Sequence, residues 1–301
     1  MTDFPLFPDF KFLELSDRQI IVPFLRDYQP ETSELSFTNL FLWRNYYNFR
    51  WCILDNFLMI IAQENNIVHG YQPIGKGPGI QQIETMLAWL YDSGYSDSPD
   101  IIRADQRIAD TLSDNRSFFI EPVEEHFDYL YRTFDLAELA GRKYHSKRNH
   151  LRRFMQSYSF TYEPFTEAHI MGCLDFSDRW CKAHKCRDLS SLNAEWDSIR
   201  EIIKNTGVLE LYGAVIRIEG RVEALTFAEM LNSSTAVIHI EKANSEFNGI
   251  YAAINQLFCS RELSHTQFIN REQDLGKPGL IKSKQSYHPA GRIRKYRIRP
   301  A

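Results

Sequence analysis

The chain has 301 residues, 44% of them hydrophobic and 14% aromatic, enough for a substantial core and, by length, for about two domains. A formal net charge of -4 excludes a general nucleic-acid coat and leaves only local basic clusters to consider. The apolar runs are too short for a transmembrane helix, and the first residues lack the basic and apolar pattern of an export signal. Five cysteines without disulfide spacing suit a reducing, cytoplasmic setting.

In chain order, residues 11–15 read as a strand, and Ser16-Asp17 caps a helix through about 28. Residues 36–46 form an aromatic-rich helix. Strands at 51–54, 57–62 and 67–71 follow, the first two joined by a hairpin turn at Asp55-Asn56. The stretch 73–79, with three glycines and two prolines, is a loop before a helix at 80–92, where Ile83, Met86, Leu87 and Leu90 recur at helical spacing. No full nucleotide fingerprint accompanies that loop, so it reads as a connection. A strand at 101–103, a helix at 106–112 and strands at 118–123 and 129–133 complete a first α+β half, assigned to residues 1–134.

Residues 135–141 form a short helical link opening a second half, 135–301. Residues 142–153 hold six Lys or Arg in twelve positions, with Tyr144, Leu151 and Met155 on one helical face. Such a run is ordinarily a solvated face. It also offers Arg142, Lys143, Lys147, Arg148, Arg152 and Arg153 to a phosphate backbone such as tRNA. A strand at 160–164, helices at 166–186 and 193–204, and strands at 209–218, 221–231 and 235–243 come next. A helix opened by Asn248-Gly249 runs to 263. A strand at 266–270, a short helix at 278–287 and a closing strand at 292–298 finish the chain. This β-α-α-β-β-β-α-β-α-β order is that of the Gcn5-type N-acyltransferase-like fold, and the first half carries a looser version of the same mixture. The fold class expected is therefore α+β: tandem acyltransferase-like domains with mixed, mostly antiparallel sheets flanked by helices.

Four segments together resemble an uncharacterised bacterial family related to the C-terminal domain of phosphatidylglycerol lysyltransferase. They are residues 135–150, His239-Ile240-Glu241-Lys242-Ala243, Asn270-Arg271-Glu272-Gln273-Asp274-Leu275-Gly276, and Lys284-Gln285-Ser286-Tyr287-His288-Pro289. The resemblance implies a tandem acyltransferase-like fold with its site in the C-terminal half. Lysyltransferases of that kind, like Fem-type peptidyltransferases, move an aminoacyl group from aminoacyl-tRNA to an amine or hydroxyl. Their closing motif is similar to Phe-Lys-x-Lys-Phe-x-Pro. This chain keeps Lys284 and Pro289, has Tyr287 for the aromatic, and has Ser286 where the second lysine belongs. The acetyltransferases hold the pyrophosphate of acyl-CoA on a Gly-rich loop. Here the matching stretch, through Asn248, Gly249, Ile250 and Tyr251, has one glycine and an added acid, Glu246. The helix N-terminus there still offers amides and a positive dipole end.

Acyl transfer to an amine needs a proton acceptor, donors for the oxyanion and an acid for the leaving group. Glu241 ends an otherwise apolar strand. It reads either as the base or as a structural carboxylate paired with Arg271 across neighbouring strands. Tyr287 reads as the acid or as a packed aromatic. Asn270, Arg271 and Lys284 form a polar clamp, Arg by its planar fork. Glu272 and Asp274 either bind the acceptor's ammonium or neutralise those cations. Cys181, His184 and Cys186 lack the spacing of a closed zinc site, and no metal is expected. Two functions remain in view. One is an acyl- or aminoacyltransferase using acyl-CoA or aminoacyl-tRNA and an amine acceptor; the other is a non-catalytic module that binds RNA or another polyanion.

Overall fold

The computed structural model describes residues 4–188 and 190–301. The chain divides into two compact units, one running to Asp128 and regaining Ile293–Ala301, the other formed by Tyr129–Arg292.

The first unit contains β1 (Lys11–Phe12), α1 (Arg18–Tyr28), α2 (Phe37–Trp43), β2 (Arg50–Leu54), β3 (Phe57–Glu64), β4 (Ile67–Tyr71), α3 (Ile80–Asp92), β5 (Ile101–Ala104), α4 (Gln106–Leu112) and β6 (Phe118–Pro122). The chain continues through β7 (Asp128–Arg132), α5 (Thr133–Glu138), α6 (His145–Ser157), β8 (Phe160–Pro164), α7 (Ile170–His184), α8 (Ser190–Leu209), β9 (Tyr212–Ile218), β10 (Arg221–Met230), β11 (Thr235–Ala243), α9 (Ile250–Arg261), β12 (Phe268–Asn270), α10 (Pro278–Gln285), β13 (Gly291–Ile293) and β14 (Tyr296–Pro300).

Among the described residues these strands form two seven-stranded sheets, ordered β1-β2-β3-β4-β5-β14-β6 and β13-β7-β12-β11-β10-β9-β8. Pairing is mostly antiparallel, with β4–β5 and β11–β12 parallel. Helices flank both sheets, so the architecture is the tandem acyltransferase-like α+β arrangement that the element order predicts. Among the described residues, no helix is long and apolar enough to cross a membrane.

Local chemistry accounts for most elements. In α3, Ile83, Met86, Leu87 and Leu90 fall on one face and enter a core with Met59, Ile61, Ile101 and Ile298. Ser36 caps α2 by accepting from the Asn39 amide, and Asp105 caps α4 by accepting from Ile108. In the second unit, Ala253, Ile254 and Leu257 of α9 pack with Ile216 of β9 and Ala224 of β10.

Two placements differ from the expected ones. The strand 129–133, assigned to the first half, is β7 of the second sheet, bonded to β12. The closing strand, assigned to the second half, is β14, which lies between β5 and β6 of the first sheet. Strand propensity is local, but the choice of partner is not. In addition, α8 runs on to Leu209, where a strand start is expected, after non-helical dihedrals at Asn205.

Sheet register creates the candidate site. Strand β12 pairs with only the first three residues of β11, with Val237 opposite Asn270. Beyond that point β11 continues alone on this side, and the chain after β12 peels away. Glu241 and Arg271 therefore emerge at the same end of parallel neighbours, where such folds open their sheets to ligands.

Candidate functional site

Arg271 follows β12 directly and reaches back to β11. Its Nη2 donates to Glu241 Oε1 at 2.8 Å, while Asn255 Nδ2 of α9 donates to Glu241 Oε2 at 2.8 Å. Both carboxylate oxygens are thus engaged. Of the two readings open for Glu241, the ion pair with Arg271 is present.

The other guanidinium nitrogen, Nη1, is buried with no hydrogen-bond partner, and so is Asn255 Oδ1. Buried polar atoms of this kind are ordinarily completed by an ordered water, an ion or a ligand. The Arg271 guanidinium lies 4.9 Å from the Tyr287 ring centroid and 5.7 Å from that of Tyr131. Burial works hardest against the Arg271 cation, yet Glu241 together with Tyr131, Tyr287 and Cys259 holds Arg271 more firmly protonated than usual.

Lys147, from α6, places its ammonium 3.8 Å from the same Tyr287 ring centroid. Burial first, then the Arg271 charge, push Lys147 down to about 8, against the pull of Glu241. Tyr287 itself is 5% exposed, and burial pushes its phenol well above the usual tyrosine range. It is a neutral hydroxyl at physiological pH, the protonation state an acid requires. Its position is fixed by Tyr144, whose hydroxyl donates to the Tyr287 carbonyl at 2.9 Å.

The remaining clamp residues build the loop that carries Arg271. Asn270 is fully buried and accepts from the Glu272 amide at 2.7 Å, closing a turn in which Glu272 has φ +54°. Lys284 donates to the Arg271 and Glu272 carbonyls. Asp274 accepts from the Tyr129 hydroxyl at 2.6 Å and the Gly276 amide at 2.8 Å. Glu272 accepts from His239 Nδ1 at 2.9 Å, and Glu229 accepts from His239 Nε2 at the same distance. Burial pulls His239 down, yet these two carboxylates raise it to about 9, which makes it an imidazolium donating from both nitrogens. The partners displayed by Glu272 and Asp274, His239 for the one and Tyr129 and Arg292 for the other, differ from the Arg271 and Lys284 cations they were expected to neutralise.

The expected cofactor loop is also engaged internally. The Asn248 amide donates to the Tyr158 hydroxyl at 3.3 Å and the Ile250 amide to the Phe247 carbonyl at 3.1 Å. Ile250 is buried in the core, and Tyr251 is partly exposed. Gly249 has φ +94°, and a Cβ there would stand 2.4 Å from the His150 carbonyl oxygen. Close packing of α9 on α6 is thus sufficient reason for that glycine.

The basic helix divides between two environments. Arg148 donates inward to the Leu139 and Gly141 carbonyls, Lys143 pairs with Asp135 at 3.4 Å, and Lys147 turns onto Tyr287. Arg142, Arg152 and Arg153 stay exposed. Among the described residues, no group of three or more His, Cys, Asp or Glu side chains is arranged to hold a metal.

Sequence reasoning missed Asn255 and Tyr131 as site members and placed Lys147 only on the basic exterior. Asn255 did carry a signal, an amide beside Ile250, Ala253, Ile254 and Leu257 on a largely buried helix. It missed as well a charge network in the first unit. There the buried Lys295 ammonium lies 2.6 Å from both Glu34 and Asp128, and Arg103 lies 2.9 Å from Glu34.

Over residues 25–299 the sequence matches the family described as phosphatidylglycerol lysyltransferase, C-terminal. No curated protein sequence matches it. Among solved structures, it is similar to a conserved protein of unknown function from Bacteroides thetaiotaomicron, at 30% identity and a TM-score of 0.90, covering 97% of this chain and 99% of that one. It is also similar to L-PGS from Bacillus licheniformis, at 16% identity and a TM-score of 0.66, covering 94% and 92%. The second likeness is one of fold.

Proposed function

Because the chain belongs to the phosphatidylglycerol lysyltransferase C-terminal family, we propose that it transfers an aminoacyl or acyl group to an amine by direct attack within a ternary complex. The donor is aminoacyl-tRNA or acyl-CoA, with aminoacyl-tRNA favoured by the internally occupied cofactor loop. The observation that carries this reading is the buried Arg271–Glu241 pair beneath Tyr287, with one guanidinium nitrogen unpartnered.

In this mechanism the acceptor amine attacks the acyl carbonyl. A C–N bond forms, and the C–O or C–S bond to the donor breaks. Glu241, oriented by Arg271 and Asn255, receives the proton lost by the amine. Tyr287, neutral at physiological pH, gives its proton to the departing oxygen or sulfur and regains one from solvent, while Glu241 releases the amine's proton to solvent. Arg271 clamps the substrate. Asn270, Glu272, Asp274 and Lys284 hold the loop that presents it.

The binding-module reading keeps Arg142, Arg152 and Arg153 as outward contacts, whereas Lys147 and Arg148 face the protein; that division favours the transferase. The test incubates the purified protein with a mixed pool of aminoacyl-tRNAs, or with acetyl-CoA, and with simple amines, and reads acylated products by mass spectrometry. Turnover lost in Tyr287→Phe supports the reading. Salt-sensitive tRNA binding without any product from either donor supports the binding module instead.

A further inference from the structure

The charges around Tyr287 do not balance. Arg271 and Lys147 bring two cations to one aromatic ring, at 4.9 Å and 3.8 Å from its centroid, and Glu241 is the carboxylate that answers them. Glu241 is committed to Arg271 Nη2 and to Asn255. Arg271 Nη1 is buried and bonded to nothing. Ring faces compensate a cation only in part. A half-buried ammonium beside a second cation is therefore costly unless something anionic joins them. Lys147 has another place to go. Arg142, just before the helix, and Arg152 and Arg153, farther along it, are exposed, and a flexible four-carbon stem readily reaches solvent. It is instead folded onto Tyr287.

We propose that Lys147 and the unpartnered Nη1 of Arg271 together hold one phosphate group of the substrate beside Tyr287. A phosphate presents several anionic oxygens, enough to meet a planar guanidinium edge and a point-charge ammonium at once. It would bring the local charge of Arg271, Lys147 and Glu241 to neutrality or below. The assignment rests on the transferase reading only in taking that phosphate to be the substrate's. It also changes the place of Lys147, from the outer polyanion face to the site.

The decisive measurement is a pH titration of Lys147 in the full chain, with lysines 13C-dimethylated and the Lys147 signal identified by its absence in Lys147→Met. Arg271, Glu241 and Tyr287 are the charged and titratable groups facing it. Inorganic phosphate and pyrophosphate are the probes, and acetate the control. A saturable rise of the Lys147 midpoint by about one unit or more with either phosphate is expected, equivalent to about tenfold tighter binding to the protonated form. Lys147→Met should weaken pyrophosphate binding about tenfold or more, and Lys147→Arg should restore it to within about threefold.

No movement of the Lys147 signal, an equal response to acetate, or undiminished binding in Lys147→Met each overturns the proposal. Methionine keeps the apolar stem over Tyr287; were that variant to misfold, the wild-type titration would still decide, with the signal assigned through Lys147→Arg. The two readings fail separately. Phosphate binding without transfer sinks the transferase, whereas transfer unaffected by Lys147→Met, with no phosphate response, sinks the phosphate site alone.

Discussion

Arg271 gives one edge of its guanidinium to Glu241, at 2.8 Å, and leaves Nη1 buried and unpartnered. The two residues come from strands that are parallel neighbours, so the pair exists only because β12 stops where β11 continues. Removing one member of a buried pair leaves the other charge uncompensated. Arg271→Met is therefore expected to lower unfolding free energy by about 3–5 kcal/mol, and Glu241→Gln, which retains an amide for hydrogen bonding, by less. Urea unfolding of both variants checks the order. Equal stability of Arg271→Met and wild type would mean the pair is not formed.

His239 links stability to pH. Its pKa rises from an ordinary 6.5 to about 9 on folding, so the native state holds a proton that the unfolded chain releases between those values. Its stabilising contribution is complete below about pH 6.5 and is lost as pH climbs through 9, with a size on the order of 3 kcal/mol. Lys147, lowered to about 8, contributes in the opposite sense as pH rises from 8 toward the usual lysine value. The measurement is the difference between wild type and His239→Gln across pH 6 to about 9.5. A flat difference would rule out the imidazolium between Glu229 and Glu272.

Gly249 tests packing against chemistry. An added Cβ meets a backbone oxygen, which cannot swing away, and φ +94° strains any other residue. Gly249→Ala is expected to cost about 2 kcal/mol or more, visible as a lowered melting temperature whether or not any donor is present. Unchanged melting with lost donor binding would reassign the glycine to ligand contact.

The first unit has its own charged core. Burial would raise Glu34, but Lys295 and Arg103 hold it well below the usual carboxylate range. Lys295→Met leaves Glu34 and Asp128 facing each other without that cation, and a loss of about 3–5 kcal/mol is expected in denaturant titration. A variant as stable as wild type would mean that the two acids are satisfied without Lys295.

Much of this protein was determined by the sequence alone. The face of α3 and the hairpin between β2 and β3 follow from periodicity and turn chemistry acting over two to four residues. The stretch from Asn270 to Asp274 stood out as a candidate site because dense charge at a strand end needs partners. Which partners it takes was settled only in three dimensions. Glu272 went to His239, Asp274 to Tyr129, and Arg271 to Glu241, each through the order β7-β12-β11-β10. No local signal joins Lys147 on α6 to Tyr287 or Asn255 on α9 to Glu241. Likewise, nothing in β14 itself says that it completes the first sheet. Short-range preferences choose an element. Counter-charge and strand partner are chosen by whatever the tertiary fold brings alongside.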